Sequence, residues 1–254
     1  MGRVPHVEVQ RVRVPKASDV FAAELRGRIL DGDLEPGVAL PNERALAEAA
    51  GLSRTVVREA LRILEIEGLV VTRPGRGGGT VVDRPDPQSL TRSVDIFIRG
   101  RGVRFRELLE AREQIEPACA ELAARHRTDD DLRALDAATE AVRAVAAEVP
   151  AFLTANAAWH VTVARISHNE LLASFMRALS DAVRAATDIA DFNSDEVRAG
   201  ALRAHDRVAR AIRDGDGGAA RAAMAHHVGA YREQVLKYPV PEELGLEHER
   251  EERQ

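Results

Sequence analysis

Apolar positions recur with a helical period over most of the chain. The pattern begins near Ser18, where Phe21, Leu25 and Ile29 share one face, and it stops at Gly32-Asp33. Pro36-Gly37 marks a turn. A second, shorter run follows Pro41-Asn42 and ends at Gly51, with Asn42 suited to cap its N-terminus. Ser53 can cap a third run, whose inward stripe is Val57, Ala60, Leu61 and Leu64 and which Gly68 closes. The texture then turns β-rich: residues 69–72 and 80–82 are short strands around Arg73-Pro74-Gly75-Arg76-Gly77-Gly78-Gly79. Two strands around a basic, glycine-rich tip make a hairpin.

From Ser89 onward no strand pattern occurs. Helices are expected at 88–99, 104–127, 129–147, 150–168, 170–190, 195–213 and 216–236, separated by Gly, Pro, Asn and Asp breaks. The fold class is therefore mainly α: an N-terminal winged helix-turn-helix followed by an all-α bundle. The expected division is a loose arm at 1–17, a winged helix-turn-helix domain at 18–83, a linker at 84–88, a helical domain at 89–238 and a mobile acidic tail at 239–254.

Composition narrows the class. A 45% hydrophobic share, poor in aromatics and rich in Ala, Leu, Val and Arg, favours soluble helix. One cysteine, Cys119, excludes a disulfide framework within the chain. No apolar run reaches the ~20 residues of a membrane span, and the N-terminus lacks the apolar core of a secretion leader. The expected location is the cytoplasm, with no membrane partner. The formal net charge of -5 argues against a general polyanion binder, but the third helix reverses that impression locally.

On that helix Arg54, Arg58 and Arg62 are spaced i, i+4, i+8 on one face, and Val57, Leu61 and Leu64 occupy another. Such a helix can dock on its own core and present guanidinium groups to a major groove. Thr55 stands near its N-terminus, where base edges are met. Three arginines alone also fit a solvated face of ion pairs. The adjoining turn and the basic hairpin favour DNA.

The run Leu40-Pro41-Asn42-Glu43-Arg44, Leu46-Ala47, Gly51-Leu52-Ser53-Arg54, Val57-Arg58-Glu59-Ala60-Leu61, Leu64-Glu65 and Glu67-Gly68-Leu69-Val70 resembles the GntR family of bacterial repressors. Asn42 departs from the serine or alanine usual there and still suits a cap. The resemblance implies that Arg44, Ser53, Arg54, Thr55 and Arg58 meet backbone or bases. It also implies that Gly75, Arg76 and Gly77 set the wing against the minor groove. Double-stranded DNA with a short inverted repeat, bound by a homodimer, is the implied partner.

Asn156 and His160 are i, i+4 on one helix, and His205 and His227 lie on two later ones. Bundles build metal sites from such inward residues, although eight histidines in a chain leave room for ordinary core or surface roles. A second resemblance bears on this. Leu109-Glu110-Ala111-Arg112, Ile115-Glu116, Asn156-Ala157-Ala158-Trp159-His160, Ala204-His205 and Met224 through His227 resemble the FCD domain, the C-terminal sensor of the FadR subfamily. It implies a divalent metal, Zn, Ni or similar, on Asn156, His160, His205 and His227. It also implies a small carboxylate effector anchored by Arg112. The family carries Asp or Asn at this place; with Asn156 the metal site lacks the negative ligand that an Asp would supply. Weaker metal affinity and a stronger pull on an incoming carboxylate are the expected consequences.

A metal-dependent enzyme is the competing class, because three histidines with open positions can activate water. No recognisable motif places a general base with them, and an enzyme would leave the N-terminal half unexplained. A regulator without catalytic residues is the expectation.

Overall fold

The structure is a computed structural model that describes residues 14–75, 79–186 and 193–238. The expected arm up to residue 13, the tail at 239–254, and Arg76 and Gly77 at the hairpin tip lie outside the described residues. Contacts divide the chain into two compact units, Met1–Ser89 and Leu90–Gln254.

The first unit holds α1 (Ala17–Leu30), α2 (Glu43–Ala50), α3 (Arg54–Ile66), β1 (Val70–Arg73) and β2 (Gly79–Val82). Phe21, Leu25 and Ile29 of α1 meet Val57, Leu61 and Leu64 of α3 in one apolar cluster that also takes in Val70 and Val82 of the hairpin. Asn42 accepts a 3.0 Å bond from the amide of Ala45, and Ser53 one of 3.3 Å from Val56, so both helices start at oxygen caps. Gly51, at φ 66°, ends α2 in the left-handed conformation and turns the chain into α3. β1 and β2 pair antiparallel, with Val70 opposite Val82. The chain just before α2 joins them: Ala39 bridges to Val81, Leu40 donates to Thr80 O and Val82 to Val38 O. This is a winged helix-turn-helix.

The second unit is helical: α4 (Pro87–Arg101), α5 (Phe105–His126), α6 (Asp129–Ala144), α7 (Val149–Ile166), α8 (Glu170–Ala186), α9 (Asp195–Asp214) and α10 (Gly217–Val235). The long α5 packs against α7, α8, α9 and α10. α4 starts at Pro87, inside the stretch expected to be a linker, because proline lacks only a donor that the first helical turn does not use. It also runs through Gly100, where a break was expected. α6 ends earlier than expected, at Ala144, and residues 187–190 of the expected eighth helix lie outside the described residues.

The turn from α9 to α10 is built around Gly215, at φ 76°. The Arg127 guanidinium lies 2.8 Å from where a Cβ would stand. From there it donates to Arg213 O through Nε and Nη2 at 3.1 and 3.0 Å, and through Nη1 to Ala124 O at 2.9 Å. It thus satisfies carbonyls at the ends of two helices. Gly215→Ala adds left-handed strain and displaces this cap, so it is expected to cost about 1–3 kcal/mol. Urea denaturation checks this, and a loss under about 0.5 kcal/mol would mean that the turn relaxes freely.

Candidate functional site

The outer face of α3 carries Arg54, Thr55, Arg58 and Arg62, all exposed, at the end of the turn that Ser53 caps. Arg58 is not idle. It forks onto the Glu43 carboxylate at the start of α2, with Nε and Nη2 at 2.9 and 2.7 Å from the two oxygens. Its side chain stays 66% exposed, so the pair does not withdraw it from a duplex. The fork from Arg58 outweighs burial and, with lesser help from the nearby charges of Arg58 and Arg54, holds the Glu43 carboxyl below its usual range. Arg44 pairs within its own helix with Glu48 at 2.9 Å. Arg54 makes no hydrogen bond or ion pair among the described residues. Gly75 sits exposed at the hairpin end with φ 108°, a conformation that favours glycine.

In the second unit, α7, α9 and α10 bring His160, His205 and His227 together in the interior, each buried. Their candidate ligand atoms all lie within 4.8 Å of one another. The His160 and His227 rings are parallel, with Nε2 atoms 3.4 Å apart, and His205 stands at 85° and 87° to them. His205 stacks on Trp159 at 3.8 Å, and Trp159 is itself held by a 3.0 Å bond from Nε1 to Thr139 Oγ1. Burial first, then the neighbouring imidazoles, pushes His205 well below its ordinary pKa; burial and then His160 bring His227 down to about 3. Both rings therefore stay neutral, with lone pairs available.

The polar atoms around these rings are unevenly satisfied. Neither nitrogen of His205 has a hydrogen-bond partner among the described residues, nor has the side-chain oxygen of Asn156. Buried polar atoms without partners are uncommon and ask for an explanation. Two imidazole nitrogens bound tetrahedrally at ~2.0–2.1 Å would stand about 3.3 Å apart, close to the separation of His160 and His227. The three imidazoles thus fit a divalent transition metal, and Asn156, on the same helix face as His160, has a side-chain oxygen without a partner among the described residues.

Glu116 on α5 supports this cluster. Its Oε2 lies 2.6 Å from His160 Nδ1, a close ion-pair contact without hydrogen-bond geometry, while Nε2 of that ring faces His227. Its other oxygen accepts from Nε of Arg112. Burial would raise the Glu116 pKa, but Arg112 and then His160 outweigh it and hold the carboxyl well below its usual range. Arg112 is buried, lies 5.3 Å from the Tyr231 ring centre, and lines a cavity together with Asn156, His160, Ser180 and His227. It is therefore both the i,i+4 partner of Glu116 and a cavity wall. Cys119, one turn further along α5, is buried, and its thiol is pushed up to about 12 chiefly by that burial. It is a packing residue.

Sequence reasoning had the four ligand candidates and Arg112. It did not foresee the Glu116–His160 contact, the Ser180 hydroxyl or the Trp159–His205 stack. The i,i+4 spacing of Arg112 and Glu116 is the one signal in the sequence for their ion pair, and it says nothing of His160.

Residues 17–82 match the bacterial regulatory proteins of the gntR family, and residues 107–230 match the FCD domain. The HTH-type transcriptional regulator LutR of Bacillus subtilis is 31% identical over 204 residues, 79% of this chain and 92% of its own length. The chain belongs to the GntR family. This GntR protein is also 30% identical, over 84% of each chain, to the putative L-lactate dehydrogenase operon regulatory protein of Escherichia coli. A solved structure of a Streptococcus agalactiae GntR superposes with a TM-score of 0.62 at 26% identity, covering 85% of this chain and 99% of that one. The protein is a DNA-binding transcriptional regulator with an FCD ligand-binding domain, and its relatives are regulators rather than enzymes. Among the described residues no helix is long and apolar enough to cross a membrane.

Proposed function

We propose that this GntR protein is a cytoplasmic repressor of the FadR type, a homodimer whose grip on an inverted repeat is modulated by a small carboxylic acid. In this reading Arg44, Ser53, Arg54, Thr55 and Arg58 contact the operator, with the wing around Gly75, Arg76 and Gly77 in the minor groove. The second unit senses the acid. His160, His205, His227 and Asn156 would hold a divalent metal such as Zn or Ni, which when bound supplies open coordination positions for a carboxylate. Arg112 would pair with the acid as a guanidinium fork. The observation that carries the reading is the buried, unpartnered His205 nitrogens and Asn156 oxygen, close to a cavity that an arginine also lines. The name of the Escherichia coli relative, which ties it to an L-lactate dehydrogenase operon, favours organic-acid chemistry.

The acid can shift the DNA-bound population only by its differential affinity for the two states of the dimer. The double replacement Arg112→Met, Glu116→Leu, which strands neither charge, is therefore expected to weaken the response to the acid while leaving operator binding in its absence near the wild-type level. Metal content tests the site directly: His205→Ala is expected to lose most of the bound zinc after loading and desalting, read by elemental analysis. Unchanged stoichiometry would reject the ligand set. Sedimentation velocity tests the dimer.

A further inference from the structure

Among the described residues, the charges around the cavity do not balance once a metal is counted. Arg112 and Glu116 neutralise each other in a buried pair, and Glu116 turns its second oxygen to His160 rather than to the cavity. The remaining polar walls are neutral or positive. Asn156 is an amide, Ser180 carries a buried hydroxyl without a partner among the described residues, and Arg184 adds a second guanidinium. No Asp or Glu lines the cavity among the described residues. With a divalent cation on neutral imidazoles, the two positive charges of the metal meet no acidic wall among the described residues, and Arg184, exposed to solvent, adds a third at the rim. Charge of that kind is costly unless paired.

We propose that this site selects a small dicarboxylate over the matching monocarboxylate, and that Asn156 sets the preference. The inference rests on the metal-and-acid reading above. A single carboxylate would leave one of the metal's two positive charges without a counterpart; a dianion matches both. Its first carboxylate suits the open positions beside Asn156, and its second has Arg112, Arg184 and the idle Ser180 hydroxyl to meet. An aspartate at position 156 would supply one of the two negative charges from the protein itself. That would reduce the advantage of the second carboxylate.

L-malate and L-lactate are suitable probes, because they share a hydroxy-acid head and differ by one carboxylate. Isothermal titration of both into the zinc-loaded full chain, with zinc measured in the same samples, is expected to show L-malate at least tenfold tighter. Asn156→Asp is expected to hold zinc more tightly and to narrow that ratio by about tenfold. If zinc is retained and L-lactate binds as tightly as L-malate, the dianion preference is overturned while the metal-and-acid reading stands. If the wild-type ratio is large but unchanged in Asn156→Asp, the role of Asn156 is overturned. If neither zinc nor either acid is held, the underlying reading falls and this inference with it.

Discussion

Arg58→Ala is expected to weaken operator binding by roughly 10- to 100-fold for each half-site, so that a dimer with two recognition helices loses about 10²- to 10⁴-fold. The side chain projects from the outer face of α3, while the same helix buries Val57, Leu61 and Leu64 on its other side. Its one strong partner, Glu43, is a surface contact, and exposed ion pairs contribute little to folding. The melting temperature is therefore expected to stay within about 2 °C. Electrophoretic shift on an operator obtained by random-site selection, with a parallel melt, measures both quantities. A large loss of stability with little loss of affinity would make Arg58 a structural residue. Salt dependence adds detail: a base contact leaves the slope of affinity against salt nearly unchanged, whereas a lost phosphate contact lowers it by about one for each site. Glu43 sharpens the test. Its carboxylate fixes the guanidinium with two bonds before DNA arrives, and Glu43→Gln should loosen that aim and lower discrimination more than general affinity.

The helices and the hairpin were legible in the sequence because their causes are local. Caps at Asn42 and Ser53, the glycine stop at Gly51 and the 3.6-residue stripe of α3 each act within a turn or two. The pairing of Val38 and Leu40 with β2 was not legible, because a few extended residues carry no periodicity of their own. The helix beginning at Pro87 was hidden for a different reason. Two nearby prolines oppose a helix interior but tolerate its first turn, and only packing decides between the two. The histidines could be nominated from their helices and from the family resemblance. Their mutual distances depend on how α7, α9 and α10 pack. Glu43 with Arg58 and Glu116 with His160 illustrate the same limit: each joins two helices, and neither follows from spacing along one.

Glu116→Ala is expected to be the most destabilising single change in the sensing unit, costing about 3–5 kcal/mol. Removing the carboxylate leaves the Arg112 guanidinium buried with its counter-charge gone, and it frees His160 to turn. The loss should be measured by urea denaturation of the metal-free chain, so that metal linkage does not enter. A change below about 1 kcal/mol would mean that water or a rearranged side chain already serves Arg112. The double replacement Arg112→Met, Glu116→Leu separates stability from function. Volume-matched apolar substitutes for a buried ion pair are often neutral or stabilising, so most of the lost stability should return. The response to an acid should not return, since the cavity then lacks its buried guanidinium. Glu116→Gln keeps the shape and removes only the charge. Because an outer carboxylate fixes the tautomer and basicity of a metal-bound imidazole, that variant is expected to lower zinc affinity by roughly 10- to 100-fold. A wild-type zinc affinity in Glu116→Gln would confine the carboxylate to pairing with Arg112, and the orientation of His160 would then have to come from its packing against Trp159, His205 and His227.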